Sequence, residues 1–175
     1  CAAASWQSCE ATHDHATRGL PLAQPRQIRL SDYTISGFDL QLDVVPFTTS
    51  GGTFDTRAFD RDIPGPHLIM QPGATHKVNL VNRLTGPAQA YVHNEYGHVS
   101  STNIHTHGLH VPHVTPGDDV KITVGPETTF NYQWDVPADH APGTHWYHPH
   151  LHGSTALQTG VPTLRTNHDA NHRPA

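Results

Sequence analysis

Two histidine-rich stretches decide the fold and the chemistry of this chain. The first is residues 103–110, Asn-Ile-His-Thr-His-Gly-Leu-His, and the second is residues 143–153, Gly-Thr-His-Trp-Tyr-His-Pro-His-Leu-His-Gly. Each contains a His-X-His pair, and residues two apart on an extended strand point to the same face. Pro149 restrains its own backbone and that of the residue before it, which favours an extended second pair. We therefore expect each stretch to present two imidazoles on one face.

These imidazoles predict a metal site. If the two stretches lie side by side, four rings converge, and the predicted ligands are His105, His107, His148 and His150. Sites made mostly of imidazole nitrogen suit copper, zinc, nickel or iron. Neighbouring strands lie about 4.8 Å apart and residues two apart about 6.8 Å, so such a grid holds two or three ions as readily as one. His152 has the parity of the second pair and is a further candidate, although Gly153 indicates that the strand ends there.

Two carboxylates follow the first pair closely. They are Asp118 and Asp119, and either one is a candidate for relaying protons to a metal-bound oxygen species. The alternative for both is a turn before the next strand. A blue copper site requires a Cys thiolate together with two His, and Cys1 and Cys9 are far from the pairs in sequence. We therefore expect no such centre in this chain.

The composition indicates one β-rich domain. The 175 residues include 14 Gly and 15 Pro, and only 14% are charged, which suits a domain with many turns. The formal net charge of -5 and the lack of a basic stripe argue against a nucleic-acid partner. No apolar run approaches the ~20 residues that a membrane-spanning helix needs. A disulfide between Cys1 and Cys9 is the simplest pairing, and it predicts an extracytoplasmic compartment, whether secreted, periplasmic or an organelle lumen.

The alternation of apolar and polar residues divides the chain into three parts. We expect an N-terminal arm at residues 1–26, a domain at residues 27–158 and a polar tail at residues 159–175. The domain shows roughly eight short strand-like segments and no convincing helix, which is typical of a β-sandwich or barrel.

Three of these segments make specific predictions about strand boundaries. Residues 120–124 (Val-Lys-Ile-Thr-Val) and 130–136 (Phe-Asn-Tyr-Gln-Trp-Asp-Val) alternate cleanly and are predicted strands. Residues 76–80 also alternate, but Val81 breaks the period, which predicts a bulge or a strand end near that residue.

The two histidine stretches resemble the two N-terminal copper motifs of multicopper oxidases, the laccase-like family. Residues 62–66 (Asp-Ile-Pro-Gly-Pro) and 71–73 (Gln-Pro-Gly) resemble the turns that precede those motifs in the same domain. The resemblance covers about residues 38–158. It implies copper as the cofactor and an all-β fold, a cupredoxin-like Greek-key β-sandwich.

The resemblance also implies a role for each ligand. By motif position, His105 corresponds to a ligand of the type 2 copper, whereas His107, His148 and His150 correspond to ligands of the type 3 pair. In a complete enzyme these ions form a trinuclear cluster that reduces dioxygen to water, and a later domain supplies the type 1 copper and the facing ligands. That later domain has no counterpart in these residues, so we expect oxidase activity only if a partner completes the site.

A second departure from the family concerns the end of the domain. The family continues from the second motif into an apolar closing strand, whereas this sequence runs into the polar tail after Gly160. We expect the sandwich to lack that strand and to expose a sheet edge that pairs with another chain. Two alternatives therefore stay open, a non-catalytic copper-binding protein and a structural protein that assembles through this edge.

Overall fold

The computed structural model describes residues 25–86, 99–151 and 153–158. These ranges contain eight strands, a single turn of 3₁₀ helix at Leu30–Tyr33 and a one-turn helix α1 at Thr155–Gln158. The strands are β1 (Gln27–Arg29), β2 (Phe38–Thr49), β3 (Gly52–Phe59), β4 (His67–Ile69), β5 (Thr75–Asn82), β6 (His105–His107), β7 (Thr129–Asp135) and β8 (Trp146–His148).

The largest sheet has four strands in the order β3-β2-β5-β7. β2 is antiparallel to β3 and parallel to β5, and β5 is antiparallel to β7. Two further pairs complete the described part, the parallel pair β1-β4 and the antiparallel pair β6-β8. The prediction of an all-β fold is confirmed.

The core lies on one face of this sheet because the strands alternate as their sequences do. On β2, Phe38, Leu40 and Leu42 are buried, whereas Asp39, which lies between Phe38 and Leu40, is exposed. β7 places Tyr132 and Trp134 on the same buried face, as the alternation at residues 130–136 predicts. The core cluster also includes side chains from both histidine stretches, namely Ile104, Leu109 and Tyr147. The histidine strands are therefore anchored directly on the core.

The predicted strand end near Val81 is confirmed, since β5 ends one residue later, at Asn82. Val81 itself remains paired, with Gln41 on one side and Thr129 on the other. The apolar period fails because Asn82, a polar residue, takes the next inward position and is only 1% exposed. Its amide nitrogen donates to the carbonyls of Ser100, Val124 and Gly125 at 2.8, 3.0 and 2.9 Å.

The predicted strand at residues 120–124 is wrong. Val120 lies in a turn and is 37% exposed, and Val124 forms one isolated bridge with Thr102. The turn forms because Asp119 accepts the backbone N–H of Lys121 on its carboxylate and that of Ile122 on its carbonyl. This local bonding competes with strand pairing despite the alternating pattern.

Several predictions fall outside the described residues. They are the Cys1–Cys9 disulfide, His152, the C-terminal tail with its missing strand, and nearly all of the N-terminal arm. Within the described residues, no helix has the length and apolar character that crossing a membrane requires.

Candidate metal centre

The two histidine stretches form a short antiparallel ladder. β6 pairs with β8 so that His105 faces His148, Thr106 faces Tyr147 and His107 faces Trp146. Thr106 and Tyr147 point into the core and are 1% and 0% exposed. The neighbouring residues on each strand therefore point to the other face, which is where the imidazoles lie.

Three of the predicted ligands gather closely on this face. One ring nitrogen each from His105, His107 and His148 lies within 4.8 Å of the others. His150 follows the end of β8, and its ring centroid is 5.3 Å from that of His105 and 5.9 Å from that of His148. The structure thus brings all four predicted histidines to one place, with His107 and His150 exposed.

The His105 ring is oriented by a carboxylate. Its Nδ1 lies 2.9 and 3.1 Å from the two oxygens of Asp118, which is buried. Asp118 also accepts the backbone N–H of Thr106 at 3.0 Å, so it fixes both the ring and the strand. Because a carboxylate accepts hydrogen bonds, the proton of a neutral His105 lies on Nδ1 and leaves Nε2 free for a metal.

The His148 ring is oriented by a carbonyl. Its Nδ1 donates to the backbone oxygen of Pro149 at 2.9 Å, and its Nε2 is buried without a hydrogen-bond partner among the described residues. Burial lowers the pKa of His148, the hydrogen bond to the Pro149 carbonyl partly opposes this, and the neighbouring His105, His150 and His107 lower the pKa further. The lowered pKa favours the neutral ring, which is the protonation state that binds metal.

Asn103 links the two stretches, and sequence reasoning assigned it no role. Its side-chain oxygen accepts the backbone N–H of His150 at 2.6 Å, and its amide nitrogen donates to the carbonyl of Val120 at 2.9 Å. Asn103 is fully buried. The sequence does contain a signal for Asn103, since it lies two residues before His105, on the same face of an extended segment, and directly before the apolar Ile104.

The histidines that flank the pairs form a separate group. The ring centroid of His140 is 5.2 Å from that of His110 and 5.3 Å from that of His145. His140 uses both ring nitrogens locally, since Nε2 accepts the backbone N–H of His110 and Nδ1 donates to the carbonyl of Ala141. This group therefore holds the loop before β8 against the end of β6.

The close approach of the two stretches also requires a glycine. Gly108 has a φ of 87°, and a Cβ there would lie 3.0 Å from Nδ1 of His145. Only glycine combines that backbone conformation with that contact at little cost. Gly108 therefore allows the second histidine stretch to pack closely against the end of the first.

The second predicted carboxylate, Asp119, bonds within its own turn. It accepts from the Thr115 hydroxyl at 2.9 Å and from the backbone N–H of Lys121 at 3.0 Å. The hydrogen bond from Lys121 is the main reason why the pKa of Asp119 is lowered, and the bond from Thr115 lowers it further. Of the two carboxylates, only Asp118 has a described contact with a predicted ligand.

The residues present fit a transition-metal ion. Nε2 of His148 is buried and lacks a hydrogen-bond partner among the described residues, and ring nitrogens of His105, His107 and His148 lie within 4.8 Å of one another. Neutral imidazoles with their outer nitrogens bonded to a carboxylate and a carbonyl are the arrangement that metal-binding histidines show. The donor set is all nitrogen, which suits copper or zinc better than a hard cation.

Comparison with known proteins adds independent information. The sequence profile of the multicopper oxidase family matches residues 44–170. Laccase-1 from Thanatephorus cucumeris is 33% identical over 93 residues, covering 50% of this chain and 14% of the laccase. Laccase-2 from the same organism is 30% identical over 128 residues, covering 70% of this chain and 18% of the laccase.

A solved structure matches the fold. The laccase-like multi-copper oxidase CueO from Ochrobactrum sp. superimposes with a TM-score of 0.64 at 18% identity, covering 85% of this chain and 30% of that one. This chain therefore spans less than a third of the length of each of these three relatives.

Proposed function

Because this chain belongs to the multicopper oxidase family, we propose that its copper-binding, cupredoxin-like domain carries half of a trinuclear copper site. In this proposal His105 is a ligand of the type 2 copper. The ligands of the type 3 pair are His107, His148 and His150. The observation that carries the proposal is the gathering of one ring nitrogen each from His105, His107 and His148 within 4.8 Å of one another.

The hydrogen bonds around the site favour metal binding, because they hold the proton of a neutral imidazole on the nitrogen that does not face the metal. Asp118 holds the proton of His105 on Nδ1, and the Pro149 carbonyl does the same for His148. When bound, copper supplies the one-electron chemistry by which dioxygen is reduced. We also propose Asp118, rather than Asp119, as the proton relay, because it is the carboxylate that contacts a predicted ligand.

We propose that oxidase activity requires a partner. His107 and His150 are exposed, so an approaching protein has access to the side of the site that this chain leaves open. The chain also spans only 14–30% of the relatives named above, and this is consistent with further ligands coming from elsewhere. An extracytoplasmic location is part of the proposal, resting on the predicted Cys1–Cys9 disulfide.

Copper analysis of the full chain tests this function. We expect the chain, dialysed against Cu²⁺ at pH 7.5, to retain copper measured by mass spectrometry. The double variant His105→Ala/His148→Ala should lose it, because it removes two facing members of the ladder. His113→Ala is the matched control, since His113 is exposed and outside the cluster. Copper retention by the double variant equal to that of the unchanged chain would contradict the ligand assignment.

Oxygen uptake tests the need for a partner. We expect the copper-loaded chain alone to consume no dioxygen in the presence of a phenolic reductant. Turnover by the isolated chain would overturn partner dependence while leaving copper binding intact.

One observation favours assembly through a sheet edge as a second candidate function. Within the described residues β3 is one of the two outer strands of the four-stranded sheet, an edge other than the one predicted behind the closing strand, and its Phe54 is 52% exposed. Exposed apolar edge strands favour pairing between chains. Sedimentation of the chain with and without copper distinguishes the two, because self-association through β3 should not depend on the metal.

A further inference from the structure

Trp146 lies against two of the proposed ligands. It faces His107 across the β6-β8 ladder and shares a face with His148 on its own strand. Its ring centroid is 4.8 Å from that of His107 with an interplanar angle of 17°, and 4.2 Å from that of His148 with an angle of 24°. One indole therefore stacks on imidazoles from both strands.

The stacking contact with Trp146 matters most for His107, whose ring has no hydrogen bond among the described residues. The rings of His105 and His148 are each fixed by a hydrogen bond at Nδ1, whereas His107 is exposed and has only ring contacts among the described residues. The χ2 torsion of histidine has broad, roughly two-fold preferences, so an exposed imidazole without a fixed neighbour samples several orientations. Stacking on the indole restricts that rotation.

We propose that Trp146 is a positioning residue for copper binding, which sets the ring plane of His107 before the metal binds and stacks on the hydrogen-bonded ring of His148. The inference rests on the proposed function, because it assumes that these histidines are ligands. Ordering a ligand side chain in advance removes part of the cost of binding. Trp146 thus does for His107 what Asp118 does for His105.

If Trp146 served only to stabilise the fold, its removal would lower the stability of the metal-free chain. Trp146 is 37% exposed and is not part of the core cluster, in contrast to Tyr147 beside it. Removing its ring should therefore leave the metal-free fold largely intact and act on the site.

Copper titration of the full chain and three variants tests the proposal. Trp146→Ala removes the stacked ring, Trp146→Phe keeps a ring, and Phe54→Ala is a control on an exposed aromatic residue of β3. We expect Trp146→Ala to weaken Cu²⁺ binding about 2- to 10-fold, the effect that losing an aromatic stacking contact predicts. Trp146→Phe should recover most of the affinity, and Phe54→Ala should bind as the unchanged chain does.

A metal-free measurement separates this proposal from the function on which it rests. In the NMR spectrum of the metal-free chain, the indole ring current should shift the ring protons of His107 and His148, and Trp146→Ala should abolish those shifts. If the unchanged chain binds no copper, the proposed function fails. If it binds copper and Trp146→Ala binds equally well, or if Trp146→Phe is as weak as Trp146→Ala, only the role of Trp146 is overturned.

Discussion

The clustered imidazoles of this chain are oriented by three different kinds of contact. A carboxylate fixes His105, a backbone carbonyl fixes His148 and an indole stacks on His107. The histidines themselves could be predicted from the sequence, because their two-residue spacing follows the strand period. Their partners could not, because Asp118 is 13 residues from His105 and reaches it only through the turns between them.

Replacing Asp118 provides a prediction at this scale. We expect Asp118→Asn to lower copper affinity about 10-fold, because an amide holds the His105 tautomer less firmly than a carboxylate does. Isothermal titration with Cu²⁺ measures the change. Asp119→Asn is the matched control, since Asp119 bonds within its own turn, and an equal loss in both variants would contradict the role of Asp118.

At the scale of elements, strands were predicted best where alternation alone decides the structure. β7 and residues 76–80 of β5 follow their sequence patterns because each buries an apolar face on the same core. The prediction failed at residues 120–124, where local hydrogen bonds replaced strand pairing. Asp119 turns the chain there, although Val120 and Ile122 suggested a strand. The alternation of apolar residues indicates which side chains are buried, but it does not reveal local hydrogen bonds of this kind.

Asn82 provides a prediction at this scale. We expect Asn82→Ala to lower the free energy of unfolding by about 3 kcal/mol, because it leaves buried carbonyls without their donor. Urea denaturation measures the loss. Asn79→Ala is the control on the same strand, where the amide donates to the Ser36 carbonyl and the Asp39 carboxylate in an exposed setting. We expect less than about 1 kcal/mol there, and a similar loss at both positions would contradict this account.

At the scale of the whole molecule, a buried histidine makes stability depend on pH. His76 is 2% exposed, and its Nε2 lies 3.0 Å from the backbone nitrogen and 3.1 Å from the carbonyl oxygen of Gln71. Burial lowers the pKa of His76, while the contact with Gln71 partly opposes this. The unfolded chain, with an ordinary pKa near 6.5, therefore takes up this proton before the folded chain does.

We expect the metal-free chain to lose stability as the pH falls from about 7.5 to 5.5. The loss from one such group is at most about 1.4 kcal/mol per pH unit, and His76→Gln should reduce the slope whatever its effect at pH 7.5. Urea denaturation across this range measures both slopes. His113→Gln, at an exposed site, should keep the original slope. An unchanged slope in His76→Gln would show that other groups carry the dependence.

The sequence by itself determined the fold class and the histidines of the candidate site, because these follow from local spacing along extended strands, and its two histidine motifs carry the resemblance to the family. Only the tertiary structure decided how those histidines meet. The register that sets His105 against His148, the carboxylate of Asp118 and the indole of Trp146 all depend on contacts between segments distant along the chain or across a ladder. Such contacts are fixed when the core packs, and a one-residue shift in register would turn every side chain to the other face.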